Sequence, residues 1–226
     1  MIPLRDTIPA RRTAWVVRGL VLANVALFLI ELLQGVGLSA FLYRFGVVPV
    51  SWGLVSPSHL GEWPGLVATL FTSQFLHGSF LHLGANMLYL WIFGDNVEDR
   101  LGHGRFLLLY LGSGVIAGLV QLLLQPTSSI PMIGASGAIA GVLGSYFFLF
   151  PFARVVTLIP WFFVWEVVEL PAFVFLGLWF VLQWIQGLMT IGQMAEVGGI
   201  AWWAHVGGFV SGLILGGGLR PQRRHF

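Results

Sequence analysis

Six stretches of the chain are apolar over close to the ~20 residues that a helix needs to cross hydrocarbon. They cover residues 14–33, 76–93, 106–124, 132–150, 170–189 and 199–219. The first carries Arg18 towards one end and Glu31 towards the other, leaving an apolar middle. Arginines precede it as they precede a signal peptide, but no A-x-A-like site follows, so it is expected to stay as an anchor. Residues 34–75 form a long outer segment, rich in Gly, Pro and Trp, whose apolar runs are too short to span. Trp52 and Trp63 suit the headgroup level, so this segment is expected to lie partly in the outer leaflet. On the inner side, residues 160–171 hold Glu166 and Glu169 in an aromatic run, which reads as a one-turn interfacial helix with a solvated acidic face.

The basic residues set the orientation. Six spans with the N-terminus inside put Arg5, Arg11, Arg12, Arg18, Arg100, Arg105, Arg154, Arg220, Arg223 and Arg224 on the cytoplasmic side and only Arg44 outside. That is the asymmetry of the positive-inside rule, and an odd number of spans would break it. The predicted fold is an all-α membrane protein, a six-transmembrane-helix bundle with a long membrane-associated first outer loop. Its parts are a short cytoplasmic segment over 1–13, the helical domain over 14–219 and a cytoplasmic basic tail over 220–226.

Composition agrees: 57% of the 226 residues are hydrophobic, 9% are charged, and the mean hydropathy is +0.88. A soluble domain would carry about a quarter charged residues, so an ordinary globule and a disordered chain are both excluded. There is no cysteine and no lysine. Disulfides, thiolate nucleophiles, cysteine-ligated clusters, Schiff bases and a Ser–Lys dyad are therefore excluded. A net charge of +2 spread over helix ends makes a poor phosphate-binding face, and no nucleic-acid partner is expected.

Polar groups inside spans are expensive and mark candidate sites. The second predicted span holds His82 and Asn86, four apart on one helix face. The fourth opens with Gly134-Ala135-Ser136-Gly137, and the sixth contains Ala204-His205. At 1.5 Å per residue, counting from Asp95, Pro151 and Arg220, His82, Ser136 and His205 all lie roughly 20 Å above the inner surface. Small residues spaced by four, Gly137-Gly141-Ser145 in the fourth span and Ala204-Gly208-Gly212-Gly216 in the sixth, would let those two helices pack closely. Ser136 and His205 would then meet at the top of the contact. Taken singly, Ser136 reads better as a small packing residue and Asn86 as interhelical glue, while His205 and the stripes are open to a structural reading as readily as a functional one.

Serine needs a base to become a nucleophile, and a neutral histidine is the usual one. Ser136 is accordingly the candidate nucleophile and His205 the candidate base. The side chains of His82 and Asn86 and the backbone N–H of Ser136, near a helix N-terminus, are candidate oxyanion donors. Pro131 and Gly134 place the start of that helix close to Ser136. No carboxylate lies at this depth to orient the imidazole. His77 is expected at the solvated outer rim, with His59, His103 and His225 in loops or the tail. Zinc chemistry lacks an H-E-x-x-H pair, and Asp6, Asp95 and Asp99 all fall at inner ends, away from an aspartyl dyad.

Gly134-Ala135-Ser136-Gly137, His82-x-x-x-Asn86, Ala204-His205 with the Gly-x-x-x-Gly run after it, and Val97-Glu98-Asp99-Arg100-Leu101-Gly102 together resemble rhomboid intramembrane serine proteases. The resemblance implies a Ser136–His205 catalytic dyad, an oxyanion hole lined by His82, Asn86 and Ser136, and a nucleophile motif in which Gly134 and Ala135 contact substrate. It implies hydrolysis of a peptide bond in or beside a transmembrane segment of single-pass or other membrane-protein substrates, without cofactor or metal. The expected location is a bacterial inner membrane, with both termini cytoplasmic. Two positions depart from the pattern. The tyrosine that some members carry one turn after the nucleophile is Ala140 here, and the Trp-Arg pair of the first outer loop is replaced at best by Ser51-Trp52-Gly53. Substrate is expected to enter past the fifth span, with a loop over residues 190–200 capping the site on hinges at Gly192, Gly198 and Gly199. The other reading is a non-catalytic rhomboid-like protein that binds membrane clients.

Overall fold

A computed structural model describes residues 1–52, 63–161, 164–190 and 199–219. The architecture is mostly helical. Helix α1 (Trp15–Leu32) is followed by two helices of the 34–75 segment, α2 (Leu38–Phe45) and α3 (Trp63–Thr72). Then come α4 (Phe80–Leu101), α5 (His103–Leu124), α6 (Ser136–Leu149), α7 (Ala172–Thr190) and α8 (Trp202–Gly218). Among them α1, α5 and α7 are long and apolar enough to cross a membrane.

Burial follows helix periodicity. On α1 the buried residues are Val17, Leu20, Asn24, Phe28 and Glu31, a single stripe at spacings of three and four. On α6 all ten residues from Gly137 to Tyr146 are buried, because α4, α5, α7 and α8 surround it. A helix enclosed by protein need not match the bilayer: its 14 residues reach only about 21 Å, short of a ~30 Å hydrocarbon core. That shortfall leaves room above its first residue, Ser136.

Three features differ from the sequence-based expectation. First, α4 does not end at Asp95; it starts at Phe80, where the Ser79 hydroxyl accepts the His82 N–H, and runs on to Leu101. Gly102, at φ +84°, turns the chain into α5. Second, residues 160–171 are not a one-turn helix. Strands β1 (Ile2–Asp6), β2 (Arg154–Trp161) and β3 (Val164–Pro171) form an antiparallel sheet in that order. Ile2 pairs with Leu158, and Leu158 with Val167. The runs Arg154-Val-Val-Thr-Leu-Ile and Val164-Trp-Glu-Val-Val are β-branched and aromatic, and suit a pleated surface better than a helix. Glu166 and Glu169 are exposed, as expected, but on strand geometry they point to opposite faces. The fold is thus not all-helical, and the segment 1–13 contributes an edge strand. Third, His77 is not solvated. It is 1% exposed, and its backbone N–H donates to both carboxylate oxygens of Glu31 at 3.1 Å.

The 34–75 segment is stitched to the loop that precedes α6. Val47 and Met132 exchange backbone hydrogen bonds of 3.1 and 2.7 Å, and the Gly134 N–H donates to the Ser73 carbonyl at 2.9 Å. Trp52 packs partly buried against Val47, Leu70 and Leu122. The residues bracketing Ser136 are in this way held from outside the helix that carries it.

Candidate active site

The stripes of small residues meet as their spacing predicts. A Cβ placed on Gly208 would run into the carbonyl of Gly137, and one on Gly212 into the carbonyl of Gly141. Ser145 donates its hydroxyl to the Gly212 carbonyl at 2.7 Å, closing the same seam with a side-chain hydrogen bond. Without side chains between them, the main chains of α6 and α8 touch, which only small residues permit.

At the top of this seam His205 Nε2 lies 2.8 Å from Ser136 Oγ. On its other side, His205 Nδ1 lies 2.8 Å from Oε1 of Gln183, a residue of α7. The imidazole is flanked by Trp179 of α7, with ring centroids 5.9 Å apart and 35° between planes, and by Trp202 edge-on at 6.1 Å. Ala140, where some family members carry a stacking tyrosine, is fully buried; aromatic rings from α7 and α8 occupy the neighbourhood of the base instead.

Ser136, His205, His82, Asn86, Gly134 and Gln183 share one cavity of about 530 Å³. Asn86 is 7% exposed, and its Nδ2 finds no hydrogen-bond partner among the described residues. A buried amide donor left open by the protein in this way is costly unless water or a ligand satisfies it. Gly134 has φ +119°, a conformation strained for any side chain. A Cβ there would also press on the His82 ring at 2.7 Å. Glycine therefore lets the chain turn under His82 and deliver Ser136 at the first position of α6, where backbone N–H groups lack helical partners. Ala135 is fully buried and does not line the cavity.

The sequence reading missed Gln183, gave Glu31 no partner and placed the buried His77 at the rim. All three gave a signal, since each is a polar residue in or beside an apolar stretch. Gly199, at φ +64°, lines the cavity, whereas Gly192, Gly198, His59, Gly53 and the tail 220–226 lie outside the described residues. His103 is not in a loop but opens α5, where its Nδ1 contacts Glu98. Among the described residues no three histidine or carboxylate side chains gather as metal ligands would.

A serine paired with a histidine at the mouth of a short buried helix, beside an open amide donor, is an arrangement suited to acyl transfer. The Rhomboid domain model matches residues 64–222, more than half of the chain, and the protein belongs to the rhomboid family. It is 33% identical over 152 residues to Rhomboid protein 1, mitochondrial, of Saccharomyces cerevisiae, covering 66% of this chain and 40% of the relative. It is 31% identical over 234 aligned positions to RHOMBOID-like protein 1 of Arabidopsis thaliana, covering 94% of this chain and 55% of that one. It is 40% identical over 89 residues to rhomboid protease GluP of Bacillus subtilis, covering 39% of this chain and 16% of GluP. The chain thus spans about half or less of the length of these relatives.

Proposed function

We propose that the protein is an intramembrane serine endopeptidase that cuts a peptide bond in or beside a transmembrane segment of other membrane proteins. The observation that carries this reading is the 2.8 Å approach of His205 Nε2 to Ser136 Oγ inside a cavity where the Asn86 amide is free to donate. Ser136 Oγ attacks the scissile carbonyl carbon while Nε2 takes its proton, and the carbonyl electron pair moves onto oxygen. Asn86 Nδ2, the His82 ring and the Ser136 backbone N–H stabilise that oxyanion. Collapse breaks the C–N bond, and Nε2 returns the proton to the leaving amine. Water then loses a proton to Nε2, attacks the acyl carbon, and Ser136 leaves with the proton restored. Gly134 bounds the substrate side of the nucleophile, and no metal or cofactor takes part.

In this reading α1, α4, α5, α6, α7 and α8 are six spans of a domain over 14–219. Both termini, including the basic tail 220–226, face the cytoplasm, and the residue 34–75 segment lies at the outer leaflet. The chain lacks cysteine, so single cysteines introduced at Ser51 and Arg154 report sidedness directly by impermeant labelling. Label at Arg154→Cys from outside would reverse the topology. Substrate enters from lipid past α7, whose outward residues Leu182, Trp184 and Met189 are exposed. The relatives include proteins named mitochondrial as well as one from Bacillus subtilis, so they do not select a bacterial inner membrane.

The test is cleavage of a transmembrane reporter by the reconstituted protein beside Ser136→Ala and His205→Ala, with fluorophosphonate labelling of Ser136. Cleavage lost in both variants supports the dyad. Cleavage surviving Ser136→Ala removes it, and a folded parent that neither cuts nor labels favours client binding.

A further inference from the structure

A neutral imidazole has one N–H and one lone pair, and only the tautomer protonated at Nδ1 offers its lone pair at Nε2. Which tautomer forms is set by what the other nitrogen meets. Here Nδ1 faces the carbonyl oxygen of a glutamine, a pure acceptor, while Nε2 faces Ser136 Oγ. We propose that Gln183 is a positioning residue that extends the Ser136–His205 pair into a three-membered relay: its Oε1 accepts the Nδ1–H and holds the Nε2 lone pair on the serine. The inference rests on the serine-protease reading.

The residue type fits the surroundings. Gln183 is 8% exposed on a helix apolar enough to span a membrane. A carboxylate there would carry the full cost of a buried charge, whereas an amide orients the ring without one. The relay also draws on three helices, since Ser136 belongs to α6, His205 to α8 and Gln183 to α7. Trp179, one turn before Gln183, lies beside the same imidazole, so α7 supplies both its hydrogen-bond acceptor and an aromatic neighbour. The titratable groups sharing the cavity with His205 are His82 and Tyr89, both of α4; α5, α6 and α7 contribute no ionisable side chain to its lining.

In reconstituted full-length protein, Gln183→Leu is expected to lower kcat about 10- to 100-fold with KM within about twofold. Gln183→Glu, whose buried carboxyl is neutral but keeps a carbonyl oxygen to accept the Nδ1–H, is expected to retain kcat within about tenfold of the parent. A glutamine that only packs would be replaced equally well by leucine and by glutamate, and a Gln183→Leu enzyme with the parental kcat overturns the assignment. The ¹⁵N shifts of the His205 ring read the tautomer without any substrate. Nδ1–H in the parent, lost in Gln183→Leu, supports the proposal; Nε2–H in the parent overturns it. A parent that shows the Nδ1–H form but cuts nothing would remove the protease reading and leave the positioning of His205 by Gln183 standing.

Discussion

The carboxylate of Glu98 on α4 accepts the backbone N–H of Val17, at the start of α1, at 2.8 Å, and its second oxygen takes the N–H of Val16 at 2.9 Å. Ala14, which precedes α1, offers no capping side chain, so a residue 81 positions away in sequence closes that helix end. The carboxylate also meets the positive end of the helix dipole. Glu98→Ala is expected to cost about 3 kcal/mol, because a buried and a part-buried N–H group lose their carboxyl acceptor. Glu98→Gln, with a single acceptor oxygen, should fall between the two. Thermal unfolding in detergent micelles measures this, and an alanine variant as stable as the parent would refute it.

Asn86 should behave in the opposite way. Its Nδ2 makes no hydrogen bond to the described protein, so stability has little to lose when it goes. Asn86→Leu is expected to hold or raise the unfolding temperature while lowering kcat about 100-fold, the usual effect of deleting one oxyanion donor. Parental cleavage by the variant would remove Asn86 from the site.

The α6–α8 seam makes a sharp contrast between glycines. Gly212→Ala drives a methyl group into the Gly141 carbonyl and is expected to cost about 3 kcal/mol, with cleavage lost as Ser136 and His205 part. Gly112→Ala on α5 meets nothing within 4 Å, and there alanine is expected to be neutral or stabilising by up to about 1 kcal/mol. Unfolding temperatures of the two variants side by side decide it; equal losses would mean that the seam is not a close contact.

Where β1 meets α4 and α6, Asp6 accepts hydrogen bonds from the Tyr146 hydroxyl and from Asn96 Nδ2, each 2.6 Å long. Burial nevertheless holds its carboxyl above its ordinary value of 3.8, outweighing the lowering effect of the Tyr146 bond. A carboxyl with a raised folded pKa binds its proton more tightly folded than unfolded. Its contribution to stability is thus present at acid pH and lost as pH rises from about 3.8 through the folded value. Asp6→Asn should flatten that fall. Unfolding temperatures of parent and variant between pH 4 and 7 test it, and parallel curves would contradict it.

The readable part of this molecule was the part written in periodicity. Spacings of four in Gly137-Gly141-Ser145 and Ala204-Gly208-Gly212-Gly216 named the two helices that touch, and equal depth named the residues brought together at their tops. The sheet escaped because β1 pairs with β2 across some 150 residues of chain, a contact with no local signature. The aromatic run in β3 also resembled an interfacial helix. Gln183 escaped for another reason: a lone amide inside an apolar helix has no period, and its partner is known only when α7 is laid beside α8. His77 looked like a rim residue because it falls at the start of the second apolar stretch, whereas its backbone N–H is bound by Glu31, 46 positions earlier.

The contact of bare main chains along α6 and α8 has a consequence for how the protein would wear out. Side-chain packing loosens gradually under heat or harsh detergent, but two backbones in contact have no rotamers to lose. The distance between hydroxyl and imidazole is therefore inherited from the peptide chain itself. Damage would begin at the periphery, where α1 and α7 turn many residues outward, so the ability to admit large substrates should fade while a small acylating reagent still finds its mark.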